Sequence, residues 1–281
     1  METTTAGLAL RQAAAQECIQ IPGAPNALSA RLIERYGFPA MYLSHKGLSA
    51  ADLALPDLGL VTLTELVEQS RRLTAAANVP LLVDAGSGFG DVMQVERTVF
   101  ELESAGAAGI LLEDRLVDAN AMYAKLRAAE AARADTDTVI VARTAVRSAS
   151  GLEAAIERAK RYLDAGAQWL LPTGLRNEDE FSAFADQIEA PLIADMDEFS
   201  DSPLLSAAAL EQMGYAAVLY PMTLLRVAMR ASEAALAMLA GEGHQRELLD
   251  LMQSEEELQD LLDHEEFRHR AQAYRRTEEA S

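Results

Sequence analysis

The chain has 281 residues, half of them apolar, with a formal net charge of -20 and a single cysteine, Cys18. That length and apolar content suit one large folded domain and exclude a disordered chain, while the acidic charge argues against a nucleic-acid partner, because phosphate repels such a surface. A lone cysteine excludes an internal disulfide and fits a reducing cytoplasm; no secretory signal is expected at the N-terminus, and no apolar stretch has the length of a membrane span.

Residues 4–16 read as a leading helix able to cap the lower end of a barrel. Short, continuous apolar runs follow at 18–22, 40–44, 80–85, 109–113, 138–143, 168–172, 191–196 and 216–220. Such runs are the mark of strands buried on both faces. Helical patterns lie between them, at 63–77, 92–105, 152–165 and 178–188. Several stop in turn chemistry: Ala105-Gly106, Ala165-Gly166 and Met213-Gly214. Eight strands alternating with helices predict an α/β fold, a single (β/α)8 barrel. The even spacing weighs against a doubly wound open sheet, as does the absence of a Gly-x-Gly-x-x-Gly turn after the first strand. The barrel is expected over residues 1–243 and a helical tail over 244–281. In the tail, Leu248, Leu251, Met252, Leu258, Leu261 and Leu262 recur at helical spacing on a strongly charged segment. That stripe needs a surface, on its own barrel or on a neighbouring subunit.

Parallel barrels build their active sites from the C-terminal strand ends and the loops that follow them. By that rule Asp84 and Glu113 converge with Asp57 on one side of the mouth. Three close carboxylates repel one another unless a cation sits among them, and hard oxygen ligands suit Mg2+ or Mn2+. Arg143, at the end of the fifth strand, is placed to hold a substrate carboxylate in bidentate fashion. Gly86, Gly88 and Gly90 permit close backbone approach to a ligand, though Gly-rich strand–helix turns are common. His45 and Lys46 follow the second strand; a histidine can serve as a general base and a lysine as a cation or Schiff-base nucleophile. Both could equally point into water. Cys18 reads as a core residue rather than a nucleophile.

Several motifs carry a resemblance. They include 23–31 (Gly-Ala-Pro-Asn-Ala-Leu-Ser-Ala-Arg), Leu55-Pro56-Asp57-Leu58-Gly59, Glu113-Asp114, Ala142-Arg143-Thr144, Asp197-Glu198-Phe199, and Met252-Gln253-Ser254 in the tail. Over nearly the whole chain the sequence resembles the isocitrate lyase/phosphoenolpyruvate mutase superfamily, most closely its 2-methylisocitrate lyase branch. The resemblance implies a barrel with a helix swapped between subunits, a homo-oligomer built as a dimer of dimers, Mg2+, and a small 2-oxo or 2-hydroxy carboxylate substrate. It implies that Asp57, Asp84 and Glu113 are metal-site carboxylates. It makes Tyr42 and Ser44 substrate contacts and Arg143 the carboxylate clamp; Asp195, at the end of the seventh strand, is a further candidate substrate-binding residue.

The sequence also departs from that pattern. The family's loop after the fourth strand, with a Lys-x-Cys-Gly-His stretch whose Cys is the catalytic acid, is missing between Glu113 and the helix expected at 118–133. Gly86, Ala145, Thr173 and Asp195 stand where the family has Asp, Asp, Glu and Asn, and His45 and Lys46 stand where it has small residues. These changes lead to three expectations. The chain is a divergent lyase, decarboxylase or hydrolase rather than an ordinary isocitrate or methylisocitrate lyase. Catalysis rests on Lys46, His45 and Arg143. The alternative is an inactive superfamily member that binds a ligand or acts as a scaffold.

Overall fold

A computed structural model describes residues 4–115 and 118–278. Eight strands form, each within a predicted apolar run or extending it by one or two residues: β1 (Ile19–Pro22), β2 (Met41–Leu43), β3 (Leu81–Asp84), β4 (Ala107–Glu113), β5 (Val139–Thr144), β6 (Trp169–Pro172), β7 (Ile193–Asp195) and β8 (Ala217–Tyr220). All pairings are parallel. β2 to β6 run in sequence order, and β7–β8–β1 complete the ring. The two arcs meet at single bridges, Gly23 with Tyr42 and Leu170 with Leu192. This closed parallel ring is the (β/α)8 barrel.

Two apolar layers explain why the strands read as unbroken apolar runs. One fills the barrel, with Ile21, Leu82, Leu111, Val141, Trp169 and Leu219. The other lies between strands and helices and includes Val83, Val95, Leu112, Leu126 and Phe184. Burial on both faces removes the polar alternation of a half-exposed strand. The first helix, Ala6–Ala14, sends Leu10 into the inner layer. It lies so close that a Cβ on Gly7 would fall 2.4 Å from the Asp137 carbonyl oxygen. Arg11 Nε donates to that same oxygen at 2.8 Å. The helix therefore plugs the end of the barrel where β5 begins, opposite the mouth.

Two short helices at the mouth had no signature in the hydrophobic pattern. His45–Asp52 starts directly after β2, with Ser44 as its N-cap, and Val146–Ser150 follows β5.

The chain divides into two compact units, Met1–Arg226 and Val227–Ser281, with the division inside the helix Thr223–Glu242. The second unit continues that helix and adds a 3-10 turn, Arg246–Leu251, and the helices Glu255–Leu261 and His264–Glu278. Ser254 and Glu257 form a reciprocal capping box at the start of one of these, so its acidic first turn faces the positive end of the helix dipole. Among the described residues no helix is long and apolar enough to cross a membrane.

Candidate active site

The C-terminal strand ends enclose a cavity of about 280 Å³. Asp84, the last residue of β3, is 3% exposed. Its Oδ2 accepts the Tyr42 hydroxyl at 2.9 Å and lies 3.1 Å from Arg143 Nη2. Its Oδ1 accepts the Gly86 backbone N–H at 2.9 Å. Arg143 on β5 also donates through Nε to Glu113 Oε2 at 3.0 Å, and through Nη2 to the same oxygen. One guanidinium thus bridges the carboxylates that end β3 and β4. Burial works against the Arg143 charge, but Asp84, Tyr42, Glu113 and Asp195 outweigh it and hold its pKa well above the ordinary value. Tyr42 keeps its proton: burial, then Asp84, push its pKa far up.

Asp57 does not join this pair directly. It reaches His45, whose Nδ1 lies 3.1 Å from Asp57 Oδ1. This hydrogen bond is the largest influence on both groups, raising the His45 pKa and lowering that of Asp57. His45 turns toward Asp57 and lies outside the cavity lining, whereas Lys46 lines the cavity and pairs with Asp197 at 3.3 Å. Ser44 lines it too, but its hydroxyl caps the following helix by accepting from Gly47 N–H at 3.0 Å. Asp114 is tied down elsewhere: its side chain accepts from Thr144, Tyr162 and the Ala145 N–H. Of the adjacent pair Glu113-Asp114, only Glu113 meets Arg143, because successive strand residues point to opposite faces.

Asp195, at the end of β7, is the least satisfied of these groups. Its Oδ1 is buried and has no hydrogen-bond partner among the described residues. Burial raises its pKa to about 6, with Asp197 and Asp84 pushing the same way against Arg143 and Lys46. Sequence reasoning gave no site role to Arg115 or to Asp197, which it quoted only within a motif, yet both line the cavity. Asp197 carried a signal, two positions past Asp195 at a strand end; Arg115 carried only its adjacency to Glu113-Asp114. Cys18 stands at the start of β1, the far end from the mouth, half-buried, its thiol pushed up to about 11 by burial. The Gly-rich turn after β3 is held by packing and by Lys125 Nζ, which donates to the Ser87 carbonyl at 2.7 Å. A Cβ on Gly88, whose φ is +86°, would meet Val95 at 2.5 Å.

Among the described residues no three His, Cys, Asp or Glu side chains converge as a preformed metal cage. The donor chemistry nevertheless suits a magnesium-type ion, which is usually held by one or two carboxylates, several waters and substrate oxygens. Six carboxylates but only Lys46, Arg115 and Arg143 line the cavity. That negative excess repels a polyanionic ligand unless a further cation enters with it.

The phosphoenolpyruvate phosphomutase family model matches residues 10–240. A probable 2-methylisocitrate lyase 2 of Corynebacterium glutamicum is 43% identical, over 92% of this chain and 89% of its own. The 2-methylisocitrate lyase of Salmonella typhimurium is 37% identical over the full length of both chains. Among solved structures, 2,3-dimethylmalate lyase superposes with a TM-score of 0.89 at 28% identity, covering 96% of this chain and 100% of that one. Phosphonopyruvate hydrolase, in complex with oxalate and Mg2+, superposes with a TM-score of 0.87 at 29% identity, covering 94% and 97%.

These relatives overturn the expectation of a diverged or lost reaction. Chains 37–44% identical to this one over 90% or more of its length are named 2-methylisocitrate lyases. Likeness spread over the whole barrel outweighs the missing loop and the replacements at its mouth, where Arg143 still pairs with Asp84 and Glu113. The relatives are enzymes, and lyases predominate among them. With its closed parallel ring, its bridged carboxylates and this likeness along its full length, the chain belongs to the phosphoenolpyruvate mutase/isocitrate lyase superfamily.

Proposed function

We propose that this chain is a carbon–carbon lyase of the 2-methylisocitrate type, cleaving a small hydroxy-tricarboxylate in the β-barrel mouth. The observation that carries the reading is the cluster of Asp84, Glu113 and Arg143, in a chain 37–44% identical to proteins of that name. The cleavage follows from the substrate's own structure. The bond between the hydroxyl-bearing carbon and its carboxylate-bearing neighbour breaks. The first fragment, with its methyl and carboxylate, leaves as pyruvate; the remaining four carbons leave as succinate. The hydroxyl gives up one proton and the neighbouring carbon takes one up.

Arg143 is the carboxylate clamp: its two nitrogen donors, now directed at Glu113 and Asp84, match a carboxylate's two oxygens. Tyr42 and Asp195 flank the bound acid, and Ser44 offers it a hydroxyl beside the helix start at His45. Lys46 adds positive charge to the cavity lining, and His45 holds the Asp57 loop in place. Asp84 and Glu113, with Asp57 through water, would hold Mg2+ or Mn2+. When bound, such an ion supplies Lewis-acid stabilisation of the oxygen charge that develops during cleavage. The single cysteine supports a reducing, cytoplasmic setting. Exposed Val227, Met229, Leu236 and Leu239 on the helix Thr223–Glu242 support assembly into a homo-oligomer.

The test is steady-state release of pyruvate from 2-methylisocitrate with and without Mg2+. Turnover that chelation abolishes, and that Asp84→Asn and Glu113→Gln shift to higher Mg2+ demand, is the expected result. Absence of pyruvate at saturating substrate and Mg2+ would remove this reading.

A further inference from the structure

We propose that Asp195 is the proton donor of the site, delivering a hydrogen to the carbon that loses its bond partner in the cleavage. The inference rests on the lyase reading above and deepens it. Breaking the carbon–carbon bond leaves an electron pair on the carboxylate-bearing carbon. That carbon must be protonated from a wall the oxo-acid half does not occupy.

The barrel supplies such a wall. β7 lies four strands from β3 in the ring of eight, so Asp195 stands across the mouth from Asp84. The bound acid would lie between them, its oxo end toward Asp84, Glu113 and Arg143 and its other end toward Asp195. The other candidate donors are committed. The Tyr42 hydroxyl donates to Asp84, the Lys46 ammonium is paired with Asp197, and His45 is paired with Asp57 and does not itself line the cavity. Cys18 is at the other end of the barrel.

Asp195 differs from all of these. Its Oδ1 is buried without a hydrogen-bond partner, and an ionised oxygen in that position is costly while a protonated one is tolerated. Asp197 Oδ1 shares that burial, but the Asp197 carboxylate is held by Lys46 through Oδ2. The charged groups facing it are Asp84 and Asp197, which favour the neutral acid, and Arg143 and Lys46, which oppose it. Burial is the largest influence and brings its pKa to about 6, close to the range in which an acid both holds and releases a proton near neutrality.

The step balances. The hydroxyl oxygen keeps its electrons to form the carbonyl and its proton leaves to water. The electron pair of the broken bond takes the proton of Asp195, and Asp195 recovers a proton from water before the next turnover.

The experiment compares wild type with Asp195→Asn and Asp195→Ala on 2-methylisocitrate in water and in deuterium oxide. For the wild type we expect stereospecific single deuteration of succinate and a kcat that falls as alkalinity removes the donor's proton. Asp195→Asn is expected to lower kcat about 100-fold or more with KM little changed, to lose that alkaline fall, and to scramble the label. A merely structural residue would move neither the pH profile nor the stereochemistry. Near-wild-type kcat in Asp195→Asn, or retention of both the alkaline fall and the stereospecific label, overturns the assignment. If the wild type releases no pyruvate, the lyase reading fails by itself, and carbon NMR of labelled aspartate decides the donor assignment on the resting protein. A resonance titrating near pH 6 that Asp195→Asn removes supports a proton held at this wall; titration in the ordinary carboxylate range overturns it.

Discussion

Replacing Asp195 by Asn removes a buried charge while keeping the shape of the side chain, so the fold itself can report on it. The carboxyl's pKa rises from an ordinary 3.8 when unfolded to about 6 when folded. A raised acid contributes its full stability below the unfolded value and loses it as pH rises through the folded one. At about 1.4 kcal/mol per tenfold in proton affinity, the charge costs the folded state about 1.5 kcal/mol at pH 5 and roughly 3 kcal/mol at pH 8. Asp195→Asn lacks this penalty. It should therefore be more stable than wild type, by a margin that roughly doubles between those two pH values. For a barrel of this size roughly 3 kcal/mol corresponds to a rise of about 5–10 °C in Tm. Urea unfolding followed by circular dichroism at both pH values reads the margin directly. A margin that does not change with pH, or a variant weaker than wild type at pH 8, would refute the reasoning. The same residue then raises stability by its loss and lowers activity, as expected of a strained functional group.

The remaining predictions address the clamp, the lower plug and the mouth loop. Arg143→Lys keeps the charge but not the two-pronged donor, so kcat/KM for 2-methylisocitrate cleavage should fall about 100-fold or more in the pyruvate assay. Leu10→Ala empties part of the inner barrel layer and should cost about 3 kcal/mol in urea unfolding, leaving the mouth's KM little changed. His45→Gln breaks the contact with Asp57. Since His45 is raised and Asp57 lowered by that contact, the pair stabilises above the ordinary Asp range and fades as pH rises through the folded value of His45. The variant should lose about 0.5–1 kcal/mol near pH 6 and less near pH 9, in thermal scans. Light scattering on the whole chain should report an oligomer, and Leu236→Lys with Leu239→Lys should lower its mass, as charge on a buried apolar face disfavours association.

The strands were legible because burial on both faces leaves an apolar run that survives without an alignment, and the strand-end rule then put Asp84, Glu113 and Arg143 in one place. Three features were not legible. The helix at His45 follows a strand of three residues and is specified by the Ser44 cap rather than by periodicity. The split of Glu113 from Asp114 depends on strand phase, and phase is invisible when both faces are apolar. The pairing of His45 with Asp57 depends on the conformation of residues 53–62, where no periodic signal exists. The expectation of a changed reaction failed for a related reason. A missing loop and replacements at the mouth are conspicuous in a single sequence, whereas likeness distributed over the whole barrel is seen only against relatives.

The central claim is tested most directly by proton NMR of the purified chain incubated with 2-methylisocitrate and Mg2+. Loss of substrate signal with pyruvate and succinate appearing in equal amounts, and no such loss with Arg143→Ala, is the expected result. Unchanged substrate, or pyruvate without matching succinate, would contradict it.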